Sequence, residues 1–298
     1  YPSLPNYSTI LIMPKSVYWD LSSEYMRDEN GVIMENRWQF SKVYPYVPYV
    51  LQRESKFSKN IIWENKEEIH VDDNNNINSN YINWRKKGMM SKHPIEYPVG
   101  YNHRRTCLYT LKENNDGTYS DKLDFIEARK KIYVPEYCKL VKKKSKFKEL
   151  QIRHQKEENL LIIAKDGPKQ ESLPYYIGRY NVKKDFIYKD TVLVNRDTIQ
   201  IMLNDQKHKF GFGFCISMAI LGKDETWLHG NAITYELPKI VPILQPIRVK
   251  IIRIQHNKRE QVQKLQEGKK FDPNEKLEKK PFKSYKSSIT RNEKFVDA

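Results

Sequence analysis

The sequence predicts an α+β fold: one globular domain with a mixed sheet and a few helices over residues 1–255, then an extended basic tail over 256–298. Three observations carry this. Short apolar runs closed by turn residues alternate with stretches of helical period. Aromatic residues make up 12% of the chain, too many for a disordered one. The last stretch, KREQVQKLQEGKKFDPNEKLEKKPFKSYKSS, has little apolar periodicity and cannot build a core.

The elements follow in order. The apolar run of residues 9–13 reads as a strand closed by Pro14. Between residues 34 and 50, Pro45 and Pro48 exclude a long helix. Residues 66–83 contain VDDNNNINSN, an asparagine-rich loop of the kind A/T-biased codons produce, and carry no functional assignment. Residues 97–111 read as a turn at 98–100 and then a strand, with a hairpin-type turn at 115–117. Leu123, Ile126, Lys130 and Tyr133 then suggest a short helix capped by Ser120 or Asp121. A second helix after Pro135 aligns Tyr137, Leu140, Val141, Lys144, Phe147 and Leu150 in one stripe, apolar except for Lys144. LLIIA at 160–164 is a buried strand ended by the turn 166–168, and 191–194 is another strand. Asp197 caps a helix running to about Leu203. Residues 214–221 form a fully buried helix ended by Gly222. Within 238–254, IRVKIIRI is a strand with basic residues on one face.

The net charge is +16, and two stretches hold all of it. Residues 129–148 contain nine basic residues and one acid; residues 248–298 contain fifteen and seven. Segregated charge of this kind is the footprint of a polyanion partner, because clustered Lys and Arg release counterions from phosphates. The residues expected at a nucleic-acid surface are Arg129, Lys130, Lys131, Lys142, Lys143, Lys144, Lys146 and Lys148 in the helical region. His103, Arg104 and Arg105 join them from the NHRR cluster. The tail adds Lys258, Arg259, Lys269, Lys270, Lys279, Lys280, Lys283 and Lys286.

No apolar run approaches the roughly 18 residues of a bilayer helix, so no membrane partner is expected. Cys107, Cys138 and Cys215 form no CxxC pair and read as free, mostly buried thiols in a reducing compartment. The seven histidines show no metal spacing, and neither a P-loop nor a Gly-x-Ser-x-Gly elbow is present, so no cofactor is expected. GFGF at 211–214 lacks the third glycine of a dinucleotide fingerprint and reads as close backbone packing at a helix entrance.

Residues 203–222, LNDQKHKFGFGFCISMAILG, resemble the end of NADAR domains, an N-glycosidase-like family tied to ADP-ribose and riboflavin-pathway chemistry. The matching positions are Asn204, Asp205, Phe210, Gly211 and Gly213. KSKFKEL and ENLLIIAKDG, within 144–167, resemble the family's helix and its following segment, so that a NADAR-like element covers about 121–222. The resemblance implies that Asn204 and Asp205 belong to a site in which Asp205 steadies an oxocarbenium-like ribosyl centre, with Glu127 or Asp166 as a second carboxylate. WRKKG, YPVGYNHRRTC and EARKKIYVPEY also look like uncharacterised proteins of giant viruses and microbial eukaryotes.

Two functional expectations result. The first is a non-enzymatic, basic, RNA-binding component of a large ribonucleoprotein, in its most concrete form a mitochondrial ribosomal protein of an A/T-rich microbial eukaryote. Its partners would be RNA and neighbouring proteins, and the start at Tyr1 without Met fits a removed organellar presequence. The second is a NADAR-like N-glycosidase acting on ribosyl substrates. A virion or DNA-packaging protein would share the charge pattern of the first.

Overall fold

A computed structural model of the protein describes residues 4–54, 59–114, 116–229 and 247–251. Strand β1 (Ser8–Leu11) leads to the short helix α1 (Met34–Gln39). Five short strands follow: β2 (Lys42–Val43), β3 (Tyr46–Val47), β4 (Val50–Arg53), β5 (Ile61–Asn65) and β6 (Glu68–Ile69). Next come helix α2 (Ser79–Met89), strand β7 (Tyr109–Thr110) and helix α3 (Phe125–Ala128). A π-helical turn, Arg129–Tyr133, joins α3 to α4 (Val134–Val141), and α5 (Ser145–Gln155) precedes β8 (Leu160–Ala164). The remainder is α6 (Leu173–Tyr180), β9 (Ile187–Tyr188), β10 (Thr191–Val194), α7 (Arg196–Asn204), α8 (Phe212–Ile220) and β11 (Ile247–Ile251).

The fold is α+β with a mixed five-stranded sheet in the order β1-β8-β11-β10-β9. β8 lies parallel to both β1 and β11, and β10 runs antiparallel to β11 and β9. β8 reads LLIIA and buries every residue completely, because both of its faces are covered. Leu160, Ile162 and Ala164 face the main core, built with α4, α5, α7 and α8. Leu161 and Ile163 meet Leu4, with Tyr7 and Leu11 packed alongside. In β11 the buried Ile247 and Val249 alternate with the half-buried Arg248 and Lys250, the one-faced basic strand expected there.

The GFGF glycines are required by packing. A Cβ on Gly211 would lie 2.4 Å from the Lys165 carbonyl oxygen, and one on Gly213 would lie 2.9 Å from Ala164 Cβ and Val249 Cγ1. α8 therefore sits against the end of β8 at backbone contact distance.

Residues 40–111 form a second lobe around a separate aromatic core of Phe40, Tyr44, Trp63, Tyr81 and Trp84. Its strands pair only two by two, β2 with β7, β3 with β6 and β4 with β5. Phe40 lies 4.6 Å from Trp84 and 4.8 Å from Trp63, centroid to centroid. Among the described residues no helix is long and apolar enough to cross a membrane.

Several local expectations need correction. The cap of α3 is Asp124, whose side chain accepts from the Ile126 and Glu127 amides, not Ser120 or Asp121. α7 is capped by Asn195 in a capping box with Thr198, and Asp197 occupies the first turn instead. The stripe from Tyr137 to Leu150 is buried as expected, but two helices carry it: Lys144 is extended (φ −84°, ψ 135°) and starts α5. α2 begins inside the asparagine-rich stretch, with Asn78 as its cap. α6 carries Pro174 in its first turn and gave no periodic signal. The tail, and residues 238–246 and 252–254 of the last expected strand, lie outside the described residues.

Candidate functional site

The end of β8, helix α1 and two loops converge on a cavity of about 40 Å³, roughly the space of one water molecule, open to solvent on one side. Glu24, Glu35, Glu96, Lys165, Tyr97 and Phe212 line it, with Asp166 and Lys209 at its rim. Each comes from a different part of the chain. Lys165 leaves β8 directly after Ala164, Glu35 sits in the first turn of α1, and Glu96 and Tyr97 belong to the second lobe. Tyr133, the last residue of the π-helical turn, closes one wall; such turns recur at functional sites.

Lys165 Nζ bridges two carboxylates: it donates to Glu24 Oε1 and, at 3.0 Å, to Glu96 Oε1. Glu24 and Glu96 meet on the same ammonium and repel each other's charge, so their titrations separate. Burial pushes Glu24 up to about 7 against the pull of Lys165. Burial also pushes Glu96 up, but Lys165, the Glu24 proton and Lys209 overcome it and hold Glu96 at about 2. Of the two, Glu24 is shifted toward the protonated form and Glu96 toward the ionised one. The Lys165 ammonium, disfavoured by burial, is kept above its ordinary value by Glu96 and Glu24.

Glu35 is a third carboxyl of different character. It accepts from Ser23 Oγ at 3.0 Å and from Gln39 Nε2 at 2.7 Å. Gln39 in turn accepts from Lys42 Nζ at 2.8 Å. Burial, then repulsion by Glu96, raises Glu35 in spite of Gln39 and Lys42. Burial lowers Lys42 to about 8. The cavity therefore sets carboxyls shifted toward the protonated form beside one shifted toward the ionised form, the contrast acid–base chemistry uses.

Of the four carboxylate and amide residues expected at a site, only Asp166 lines this cavity, where it pairs with Lys209 at 2.9 Å. Asp205 is 1% exposed, and four donors occupy its carboxylate: Tyr175 Oη (2.9 Å), Tyr176 Oη, His208 Nδ1 (2.7 Å) and the Lys207 amide (3.0 Å). Burial opposes its charge, but these donors hold it below the usual carboxylate range. It locks the α7–α8 loop and offers no free lone pair to a ribosyl centre. Asn204 bonds back to the Gln200 carbonyl at 2.7 Å, and Glu127 sits outside, paired with Lys131 at 3.1 Å.

The basic residues are likewise redistributed. Arg129, expected on a phosphate-facing surface, is 1% exposed and donates to the carbonyls of Met202 (3.1 Å), Asp205 (2.7 Å) and His208 (2.5 Å). It cross-links the α7–α8 loop to the π-helical turn. Lys130 is mostly covered and lies 4.0 Å from Glu127. Lys142 pairs with Asp224 at 2.6 Å, Lys143 with Glu29 at 3.8 Å and Lys146 with Glu149 at 3.1 Å. Of this helical set Arg129, Lys144 and Lys148 have no acid within 4.0 Å among the described residues. Arg104 stacks on Tyr101 at 4.1 Å and reaches toward Tyr97 at 5.8 Å, with His103 and Arg105 beside it in the chain. Lys258, Arg259, Lys269, Lys270, Lys279, Lys280, Lys283 and Lys286 lie outside the described residues.

Sequence reasoning missed Glu24, Glu35, Glu96 and Lys165. One signal was present: Glu35 and Gln39 are four apart, on one face of a helix whose other positions, Met34, Asn36 and Trp38, are buried. Among the described residues no group of three His, Cys, Asp or Glu is arranged to hold a metal ion. Comparisons with protein-family models, with curated proteins and with solved structures find no match to this chain.

Proposed function

We propose that the protein is an acid–base enzyme that hydrolyses an N-glycosidic bond to a ribosyl group. The observation that carries this reading is the set Glu24, Glu35 and Glu96 around Lys165, in one cavity, with Glu24 and Glu35 shifted toward the protonated form and Glu96 toward the ionised one. Cleavage at a glycosidic carbon needs one carboxylic acid and one carboxylate. Glu35 gives its proton to the leaving nitrogen as the carbon–nitrogen bond breaks. The Glu96 carboxylate steadies the positive charge on the sugar and takes a proton from the attacking water as the carbon–oxygen bond forms. The net change is the addition of water. Lys165 and Glu24 keep Glu96 ionised and in place.

The cavity holds about one water, the attacking one, and the sugar lies at its open side, against Tyr97 and Phe212. The choice of a ribosyl group comes from the resemblance of residues 203–222 to NADAR domains, although Asn204 and Asp205 themselves do not line the cavity. The ribonucleoprotein reading rests mainly on charge, and about half of the helical part of that charge is met by Asp224, Glu29, Glu149 and Glu127. The geometry therefore favours the enzyme.

The test uses Glu35→Gln and Glu96→Gln, which keep shape and remove the titrating group. Release of free ribosyl product from ADP-ribosyl and nucleoside substrates is followed by chromatography. Each variant is expected to lose roughly 10²–10⁴-fold of the unmodified rate. No turnover by the unmodified protein, or unchanged turnover in either folded variant, rejects the reading.

A further inference from the structure

Glu96 reaches the cavity from the second lobe, at the end of a segment with no regular structure after α2. Its placement relative to Lys165 needs a separate anchor. Asn36, on α1 beside Glu35, is fully buried and supplies one. Its Nδ2 donates to the carbonyls of Ser91 (3.2 Å) and His93 (2.9 Å), and its Oδ1 accepts from the Ile95 amide (2.8 Å). Both amide protons and the oxygen are thereby spent on residues 91–95, immediately before Glu96. α1 thus points Glu35 and Gln39 at the cavity and Asn36 at the segment that delivers the opposing carboxylate.

We propose that Asn36 is a positioning residue whose side-chain amide fixes residues 91–95 and so sets where the Glu96 carboxylate meets Lys165 and Glu24. The proposal rests on the reading of Glu96 as the ionised carboxylate of the site. No side chain of similar size reproduces the two donors and one acceptor. Asp keeps the acceptor for Ile95 but sets a carboxylate against the carbonyls of Ser91 and His93. Ala keeps none of the bonds. In both cases Glu96 withdraws from the Lys165–Glu24 pair. Glu24 then loses the neighbour that helps hold its proton, and Glu96 loses the cation that keeps it ionised. The two carboxyls move toward each other in titration.

The measurement is a carbon-13 NMR titration of glutamate side-chain carboxyls, with Glu24 and Glu96 assigned through Glu24→Gln and Glu96→Gln. The unmodified protein is expected to show the two carboxyls well separated, on opposite sides of the ordinary glutamate value. Folded Asn36→Asp and Asn36→Ala should both show them converging. With a turnover assay in hand, kcat should fall by about 100-fold, the cost of an ångström-scale misplacement, while KM changes little. A folded Asn36→Asp protein with unshifted carboxyls overturns the proposal. So does failure of both variants to fold, because the three bonds then hold the lobe itself and not Glu96. Converging carboxyls with no turnover by the unmodified protein leave Asn36 in its positioning role and remove only the glycosidase reading.

Discussion

The two lobes are built on different principles. The main sheet is made of strands long enough to bury a row of side chains, and β8 presents five consecutive buried residues. The second lobe has strands of two residues at β2, β3, β6 and β7, and it is held by aromatic stacking around Phe40 and Trp84. One lobe gets its stability from ladder and layer, the other from a few large rings and buried polar anchors. The cavity lies where they meet, with Lys165 from the first and Glu96 from the second. A rigid strand end supplies the cation, and a loop pinned by Asn36 supplies the anion.

The largest expected effect breaks the main lobe. Ile162, fully buried in mid-β8, pairs with both β1 and β11. Ile162→Ala should cost about 2–5 kcal/mol, measured by urea denaturation, and should lower the stability of both lobes because the seam depends on β8. A loss confined to one lobe would mean that the lobes fold independently.

A smaller effect isolates the second lobe. A Cβ on Gly88 would lie 2.0 Å from Phe40 Cε1, so α2 and the Phe40 ring are in direct contact. Gly88→Ala gains up to about 1 kcal/mol of helix propensity, but the ring must move, at a cost of roughly 1–3 kcal/mol. Tryptophan fluorescence of Trp63 and Trp84 should shift before the far-ultraviolet circular dichroism of the main lobe does.

The smallest effect is a pH dependence carried by one histidine. His70 is fully buried against Trp84, and neither ring nitrogen has a hydrogen-bond partner; Glu68 lies 3.5 Å from Nε2. Burial lowers its pKa below the ordinary 6.5, despite Glu68. The unfolded chain therefore binds the proton more readily than the folded one. The stability that neutral His70 permits is complete above 6.5 and is lost as pH falls through that value toward the folded pKa. His70→Leu should flatten this slope in urea midpoints compared at about pH 7.5 and about pH 5. A residual slope is expected from His154, which burial also lowers. An unchanged slope would place the acid sensitivity elsewhere.

The same contrast explains what the sequence disclosed. β8, β10, α8 and the alternation in β11 were legible because each carries a full period of burial. The break between α4 and α5 was not, because the apolar stripe runs straight across Lys144 and nothing in its spacing marks the extended residue. Two-residue strands have no period to read, so most of the second lobe appeared as loops, apart from the strand expected within 97–111, where β7 lies. Asp205 stood out as an Asn-Asp pair, yet its environment of Tyr175, Tyr176 and His208 is a tertiary fact. Glu24, Glu35, Glu96 and Lys165 share no spacing, and only the packing of the seam brings them together.

The three cysteines divide between the lobes in a useful way. Cys138 and Cys215 are buried in the main core, where burial pushes both thiols up, and Cys107 packs against the aromatic core of the second lobe. Cys138 and Cys215, fully shielded, react with an alkylating reagent only when their surroundings open, and the half-buried Cys107 reacts faster once the aromatic core loosens. Labelling at Cys107 therefore times the opening of one lobe, and labelling at Cys138 or Cys215 that of the other. The unmodified chain carries its own pair of clocks, and the order in which they run tells which half of the cavity lets go first.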